Sequence, residues 1–201
     1  MDTLVLATRN AGKIADLQGL IDSQPSLDGL RVVGVGDFPE LDDVPETGLT
    51  FVENATLKAK YAADKLNLPA VADDSGISVD VLGGSPGVFS ARWAGRHGDD
   101  QANIDLLLAQ TADVPADKLV ARFECSVVLA MPGGELHSAT GTVDGRLTRN
   151  QRGTNGFGYD PIFELPDGRT FAEYTAAEKH AASHRGQAFR ALLPTLVRLL
   201  G

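Results

Sequence analysis

Residues 3–21 read TLVLATRNAGKIADLQGLI, and the hydrophobic period changes within them. Thr3 to Ala7 form a β-branched and aliphatic run, the pattern of a buried strand. From Ile14 the apolar positions become Ile14, Leu17, Leu20 and Ile21, which share one face of a helix. TRNAGK, residues 8–13, is therefore a strand-to-helix junction. Backbone N–H groups and the positive end of the helix dipole point out of such a junction and suit a phosphate; Lys13 adds a full charge and Asn10 a neutral donor. The same residues also suit a plain turn, with Asn and Gly as N-cap and joint, and the full G-x-x-x-x-G-K-[ST] spacing of a P-loop is missing.

The alternation of strand and helix continues outward from this unit. Arg31 to Val35 reads as a second strand, followed by an acidic loop, DFPELDDVPETG, whose prolines and Gly48 preclude regular structure. Thr50 and Glu53 have capping-box spacing, so a helix is expected from Phe51 to about Leu66, ended by Pro69. PAVADD should enter a strand that stops at DSG, and ISVDVL, residues 77–82, alternates like a further strand. Asp99 or Asp100 should cap a helix carrying Ile104, Leu107 and Leu108. Ala121, Phe123, Cys125, Val127 and Leu129 alternate toward a PGG turn and a partner strand near 136–147, a long hairpin. PIFEL is a short strand; Thr175 and Glu178 repeat the capping-box pattern; a last helix over about His184–Leu200 should be bent or interrupted at Pro194. The expected class is mixed α/β with a mixed sheet, in a single domain over residues 1–201.

Composition limits what such a domain can do. The 201 residues carry 18 Lys+Arg against 27 Asp+Glu, a net charge of −9, which argues against nonspecific binding to nucleic acid. A few local cations or a metal can still reverse the sign at one site and admit a phosphorylated small molecule. Cys125 is the only cysteine, so neither an intramolecular disulfide nor a Cys-based zinc site is possible. No apolar run reaches the ~20 residues of a membrane span, and MDTLVLATRN has no basic start before an apolar core. A soluble, cytoplasmic protein is expected.

Several short segments can carry chemistry. ADDSG, residues 72–76, sets two adjacent carboxylates at the end of an apolar strand. Neighbouring strand residues face opposite ways, so Asp73 and Asp74 should do different work, and two such charges need a metal or hydrogen bonds to compensate them. Mg²⁺ is the natural partner; an Asx turn at Asp74 is the simpler alternative. Glu46 precedes the helix on which Asn54 and Lys58 share a face at i, i+4. GTNGFGYD, residues 153–160, has glycines that permit close backbone approach, and Phe157 or Tyr159 could stack on a flat ring or simply pack in the core. Lys179, His184 and Arg185 cluster near the last helix, a contact for an anion or a base carbonyl, although His184 also suits a helix cap. Arg146, Arg149 and Arg152 read as a solvated loop face, and Trp93 as packing.

These segments occur together in one order: TRNAGK, ETGLTFVENA at 46–55, ADDSG, LGGSPGVFSARWAG at 82–95, GFGYDPIF at 156–163 and AEKHAASHRGQA at 177–188. That combination resembles the inosine/xanthosine triphosphate pyrophosphatase family, the Ham1-like dITP/XTP pyrophosphatases, from Leu4 to the last helix. The resemblance implies a homodimer with an elongated α/β fold, two lobes around a central curved mixed sheet, and a nucleotide in the cleft between them. It implies hydrolysis of ITP, dITP and XTP to the monophosphate and pyrophosphate with Mg²⁺. By the same resemblance, Thr8, Arg9, Asn10, Ala11, Gly12 and Lys13 hold the triphosphate, and Glu46 with Asp74 binds the metal. Asp74 is also the general base. Ser75, Phe157, Gly158, Tyr159, Asp160, Lys179, His184 and Arg185 match substrate-binding positions, and Asp73 and Lys58 supporting ones. Arg9 departs from the small residue or Gly usual there.

The chemistry agrees with those roles. Water attack on a phosphate needs charge neutralisation, in-line positioning and a base within reach of the water. A 6-oxo purine presents an acceptor at C6 and a donor at N1, the reverse of adenine, so fixed donors can reject adenine by being left unpaired. Two other readings compete: a pyrophosphatase for pyrimidine or modified nucleotides, and a nucleotide-binding regulator without turnover, against which Lys13, Glu46, Asp73 and Asp74 stand together. A haloacid-dehalogenase-type phosphatase fits less well, because Asp73–Asp74 lacks the DxD spacing.

Overall fold

The computed structural model describes residues 2–201. The elements follow in the order β1 (Thr3–Leu6), α1 (Ala11–Asp22), β2 (Arg31–Gly34), α2 (Phe51–Leu66), β3 (Ala70–Val79), α3 (Asp100–Gln110), β4 (Val120–Ala130), β5 (Leu136–Leu147), β6 (Phe163–Glu164), α4 (Ala176–Ala182) and α5 (His184–Leu200), with short 3-10 turns between them. The strands make one six-stranded sheet in the order β2-β1-β3-β4-β5-β6. β1 runs parallel to β2 and β3, while β5 and β6 are antiparallel, so the sheet is mixed, as the α/β reading requires. Among the described residues, no helix is long and apolar enough to cross a membrane.

The chain gathers into two compact units, each discontinuous in sequence. The first takes the described residues up to Asp74, with Ser126–Thr140 and Ala188–Gly201. Its helix α2 starts where Thr50 Oγ1 accepts the Glu53 N–H and ends at Asn67 in the left-handed conformation, with Pro69 just beyond. Only half of the expected capping box forms: the Glu53 carboxylate accepts the N–H of Leu49, one residue upstream of the cap, at 2.6 Å. Ala55, Ala59, Ala62 and Ala63 line the buried face of α2 and pack with Val5, Ala70, Ala72, Val128 and Ala130. Small side chains at this seam let the helix lie close on the sheet.

The second unit comprises Ser75–Cys125 and Gly141–Gln187. Its core is aromatic: the rings of Phe123 and Phe163 are 4.6 Å apart edge to face, and Phe163 and Phe171 stack at 5.4 Å. Ile77, Val79, Ile104, Leu107, Leu119 and Ile162 close around them. Partly buried Trp93 packs on this cluster, as expected, and donates its indole N–H to Gln110.

Three expectations need correction. The two strands proposed on either side of DSG are one continuous strand, β3, and residues 80–82 form a 3-10 turn rather than its extension. Gly76 makes this continuity possible, because a Cβ there would overlap Ser90 Oγ and the Gly87 carbonyl. Ser90 Oγ in turn accepts the Ile77 N–H at 2.9 Å and donates to Gly87 O at 2.6 Å. Gly76→Ala is therefore expected to cost about 1–3 kcal/mol in urea unfolding, the range for overpacking a filled site. Helix α5 is not interrupted at Pro194. The hydrogen bond that the proline forfeits is offset by burial of Leu192 and Leu196 on either side of it. Finally, the strand read at PIFEL shrinks to Phe163–Glu164, because residues 160–162 are a 3-10 turn.

Candidate active site

In the first unit, alternation along β3 sends the two aspartates to different partners. Asp73, whose side chain is 3% exposed, receives Lys13 Nζ at 2.9 and 3.1 Å. Asp74 Oδ2 accepts the Asn54 amide at 3.0 Å, and its Oδ1 lies 3.6 Å from Lys58 Nζ. Lys58 also donates to Glu46 Oε1 at 2.8 Å. One turn of α2 thus delivers both Asn54 and Lys58 to Asp74, and the loop before it delivers Glu46. Asn54 is fully buried and its Oδ1 accepts the Gly48 N–H at 2.8 Å, which ties that loop to the same helix. The i, i+4 relation of Asn54 and Lys58 was visible in the sequence, but no role for Asn54 followed from it.

Burial pushes the Asp74 carboxyl above its ordinary value; Lys58 and the Asn54 bond pull it back, and Glu46 and Asp73 raise it further. Burial lowers the Lys58 ammonium, but the charge of Asp74, with the bond and charge of Glu46, outweighs it and leaves the value raised. The result is two carboxylates converging on one cation. Among the described residues no group of three or more His, Cys, Asp or Glu side chains forms a metal cage. Two carboxylate donors, with the remaining positions left to water and phosphate, are the set that Mg²⁺ accepts.

The junction at residues 8–13 is a capped helix start. Asn10 Oδ1 accepts the N–H groups of Gly12 and Lys13 at 2.9 and 3.3 Å, and Thr8 Oγ1 accepts the Asn10 N–H at 3.2 Å. Asn10 therefore acts here as an acceptor, and two of the amides expected to face a phosphate are engaged by it. Arg9 through Gly12, including Ala11, are exposed, and Arg9 reaches Asp43 at 3.3 Å and the Leu41 carbonyl. A groove of about 390 Å³ nearby is lined by Thr47, Gly48, Val52, Glu53, Thr56 and Leu57; none of the charged residues around Asp74 lines it.

The second unit holds the other predicted positions. Phe157 is 62% exposed, and Lys179 Nζ and the Arg185 guanidinium lie 4.7 and 5.9 Å from its ring centroid. Asp160 is buried, paired with Lys179, and accepts the Phe157 N–H at 2.9 Å. Burial pushes its carboxyl up and Lys179 pulls it down, with a raised value as the result. Gly156, at φ +80°, is required because a Cβ there would overlap the Asp160 carboxylate. His184 is buried at the start of α5, its ring stacked on Phe123 at 4.9 Å. Ser75 is half-buried in β3.

The structure separates the two aromatics that sequence left together. The Tyr159 ring is in the core and its hydroxyl donates to Ser90 O at 2.9 Å, so Phe157 alone presents a face to solvent. The basic stretch is also more than a solvated face: Arg146 and Arg152 both pair with buried Glu164, and Arg149 donates to Val114 O. Their charge is spent on closing this end of the sheet.

The family model described as the Ham1 family matches residues 4–195. A dITP/XTP pyrophosphatase of Streptomyces coelicolor is 55% identical over 205 aligned positions, covering 100% of both chains. Among solved structures, a HAM1 protein from Coxiella burnetii superposes with a TM-score of 0.89 at 39% identity, covering 98% of this chain and 100% of that one. A nucleoside-triphosphatase, dITP/XTP pyrophosphatase, from Mycobacterium abscessus gives 0.81 at 47% identity, covering 96% and 99%.

Proposed function

The chain belongs to the Ham1 family, and from that premise we propose that it hydrolyses the deaminated purine nucleoside triphosphates dITP, ITP and XTP to the monophosphate and pyrophosphate. Its relatives named dITP/XTP pyrophosphatase, matched over their full length, support the reaction; it is a hydrolysis of an acid anhydride. The observation that carries the reading is the convergence of Glu46, Lys58 and Asn54 on Asp74, beside the Lys13–Asp73 pair.

Release of pyrophosphate requires water to add at the α-phosphorus while the bond to the β-phosphate oxygen breaks. Asp74 accepts the water's proton in this assignment. Burial raises its proton affinity in the metal-free protein and a bound Mg²⁺ would lower it again, so the carboxylate orients and polarises the water more than it strips the proton outright. The Asn54 amide fixes one carboxylate oxygen, which keeps the other in a single orientation. Lys13 and Arg9 attract the polyphosphate, and Thr8 to Gly12 shape its approach. Glu46 and Asp74 would hold Mg²⁺, which neutralises phosphate charge and polarises water. Lys58, between the two carboxylates, limits their mutual repulsion. Phe157 supplies a stacking face for the base, and Lys179, Arg185, His184, Ser75, Gly158, Tyr159 and Asp160 shape its recognition. A donor aimed at the 6-oxo group would leave adenine's site unpaired, a large penalty.

A substrate panel of dITP, XTP, ITP, GTP, ATP and dUTP, with pyrophosphate and orthophosphate assayed separately, tests the reading. Pyrophosphate from dITP and XTP in preference to ATP and dUTP is expected; orthophosphate as the first product would overturn it. Homodimerisation, which the family resemblance implies, and a cytoplasmic location, read from the sequence, belong to the same proposal. A solution mass of twice the 21.2 kDa of one chain would support the first.

A further inference from the structure

Asp100 has a hydrogen bond that its place in the helix does not explain. It is the first residue of α3, whose cap is already supplied by Asp99 accepting the Ala102 N–H. The Asp100 carboxylate instead accepts the N–H of Gly158, 58 residues away, at 2.6 Å. That amide belongs to the peptide joining Phe157 to Gly158, so the bond acts directly on the backbone that carries the exposed Phe157 ring.

The loop around it is anchored residue by residue. The Phe157 N–H goes to Asp160, the Gly158 N–H to Asp100, and the Tyr159 hydroxyl to Ser90 O. Asp160 and Tyr159 are buried, and each has a further structural task, in the Lys179 ion pair and in the aromatic core. Burial, and after it the charge of Asp100, raises the Tyr159 phenol, which places that carboxylate's field on the loop. Gly158 sits at φ +59°, so its peptide orientation is one that the chain adopts readily only with glycine and holds only if something fixes it. Phe157 is thus an apolar ring left largely in solvent while its backbone is held on both sides, the arrangement of a preformed stacking surface rather than of a mobile loop.

We propose that Asp100 is a positioning residue for this surface, fixing the Phe157–Gly158 peptide so that the Phe157 ring is ready to take a flat heterocyclic base. The inference rests on the pyrophosphatase reading for the identity of the base, a 6-oxo purine. Asp100 acts through Gly158 on the ring that would take the base, so its loss belongs in binding rather than in the chemical step.

The test compares Asp100→Ala, Asp100→Ser and Asp100→Asn in the full chain. Asp100→Ala should raise KM for XTP and dITP about tenfold, the loss expected for one charged hydrogen bond that orders a binding surface, with kcat within about threefold of the parent. Asp100→Ser keeps a polar first residue on α3 but is too short to reach Gly158, and should behave like Ala even if Ala folds poorly. Asp100→Asn retains an acceptor oxygen and should recover most of the KM. Hydrogen exchange over residues 156–160 should quicken in the Ala and Ser variants and not in Asn, with or without nucleotide. A lower kcat at unchanged KM, or unchanged exchange at Gly158, would overturn the proposal. If the parent releases no pyrophosphate from XTP or dITP, the pyrophosphatase reading fails instead, and the exchange data still decide whether Asp100 holds the loop.

Discussion

Replacing Asp74 by Asn is expected to lower kcat about 10²–10⁴-fold, the loss typical when a general base is removed. The substitution preserves size and one acceptor oxygen, so Asn54 can keep its bond, while the charge that faces Lys58 disappears. At saturating Mg²⁺, KM for XTP should change little, because residues 8–13 and the Phe157 loop are untouched. If Asp74 served only the local turn, Asn would be a good replacement and activity would persist. A kcat within a few-fold of the parent would therefore remove the base assignment.

The same residue sets the pH response. Burial raises its carboxyl above the ordinary 3.8 and Mg²⁺ held at Glu46 and Asp74 would lower it, so the acid limb of kcat should lie at higher pH in limiting Mg²⁺ than at saturating Mg²⁺. Stability has the opposite sign. A folded-state pKa above the unfolded one contributes stability at low pH that is lost as pH rises through the folded value. At neutral pH the parent carries that ionised carboxylate, whereas Asp74→Asn does not, and Lys58 retains Glu46 as its partner. The variant's thermal midpoint at pH 7 should accordingly equal or exceed the parent's, and the difference should shrink as pH falls below the Asp74 value.

Lys13→Ala should show the converse, losing both binding and stability. From sequence alone, Lys13 reads as a loop lysine whose removal leaves the fold intact. The structure instead gives its ammonium two contacts with Asp73, a carboxylate with a 3% exposed side chain. Taking one partner from a buried pair costs about 3–5 kcal/mol, and the lower end is expected because Lys13 itself is half-buried. KM for the triphosphate should rise at the same time. Adding Asp73→Asn to Lys13→Ala should restore most of the unfolding free energy but not the KM. Rescue of both would mean that Lys13 serves the fold alone.

Local signals were readable because they depend on neighbours in the chain. The change from strand to helical period near Thr8, the Thr50 cap and the Thr175–Glu178 capping box all involve residues within one or two turns of each other, and all appear in the structure; the alternation of β4 appears only as far as Cys125, beyond which both faces are buried. Composition set its own limits, since a single Cys125 and a net charge of −9 need no coordinates. Where the reading was local and packing was not, it failed. DSG looks like a strand end, yet β3 continues through it because Gly76 fits against Ser90, 14 residues on. Pro194 reads as a bend or an interruption, and the interruption does not occur: α5 continues where buried leucines flank it.

The site shows the same division. That Asp73 and Asp74 face opposite ways follows from the two-residue period of a strand, and that Asn54 and Lys58 face the same way follows from the helical one. The sequence by itself determined the α/β class, the segments that carry chemistry and the order that marks the family. Tertiary structure alone decided that Lys13 pairs with Asp73, that Asn54 holds Asp74, that Tyr159 is core while Phe157 is exposed, and that Asp100 holds Gly158. Each of those pairings joins residues 20 to 60 positions apart or turns on which of two neighbouring aromatics the core admits, and such choices are made by burial and hydrogen-bond satisfaction across the fold, not by spacing along the chain.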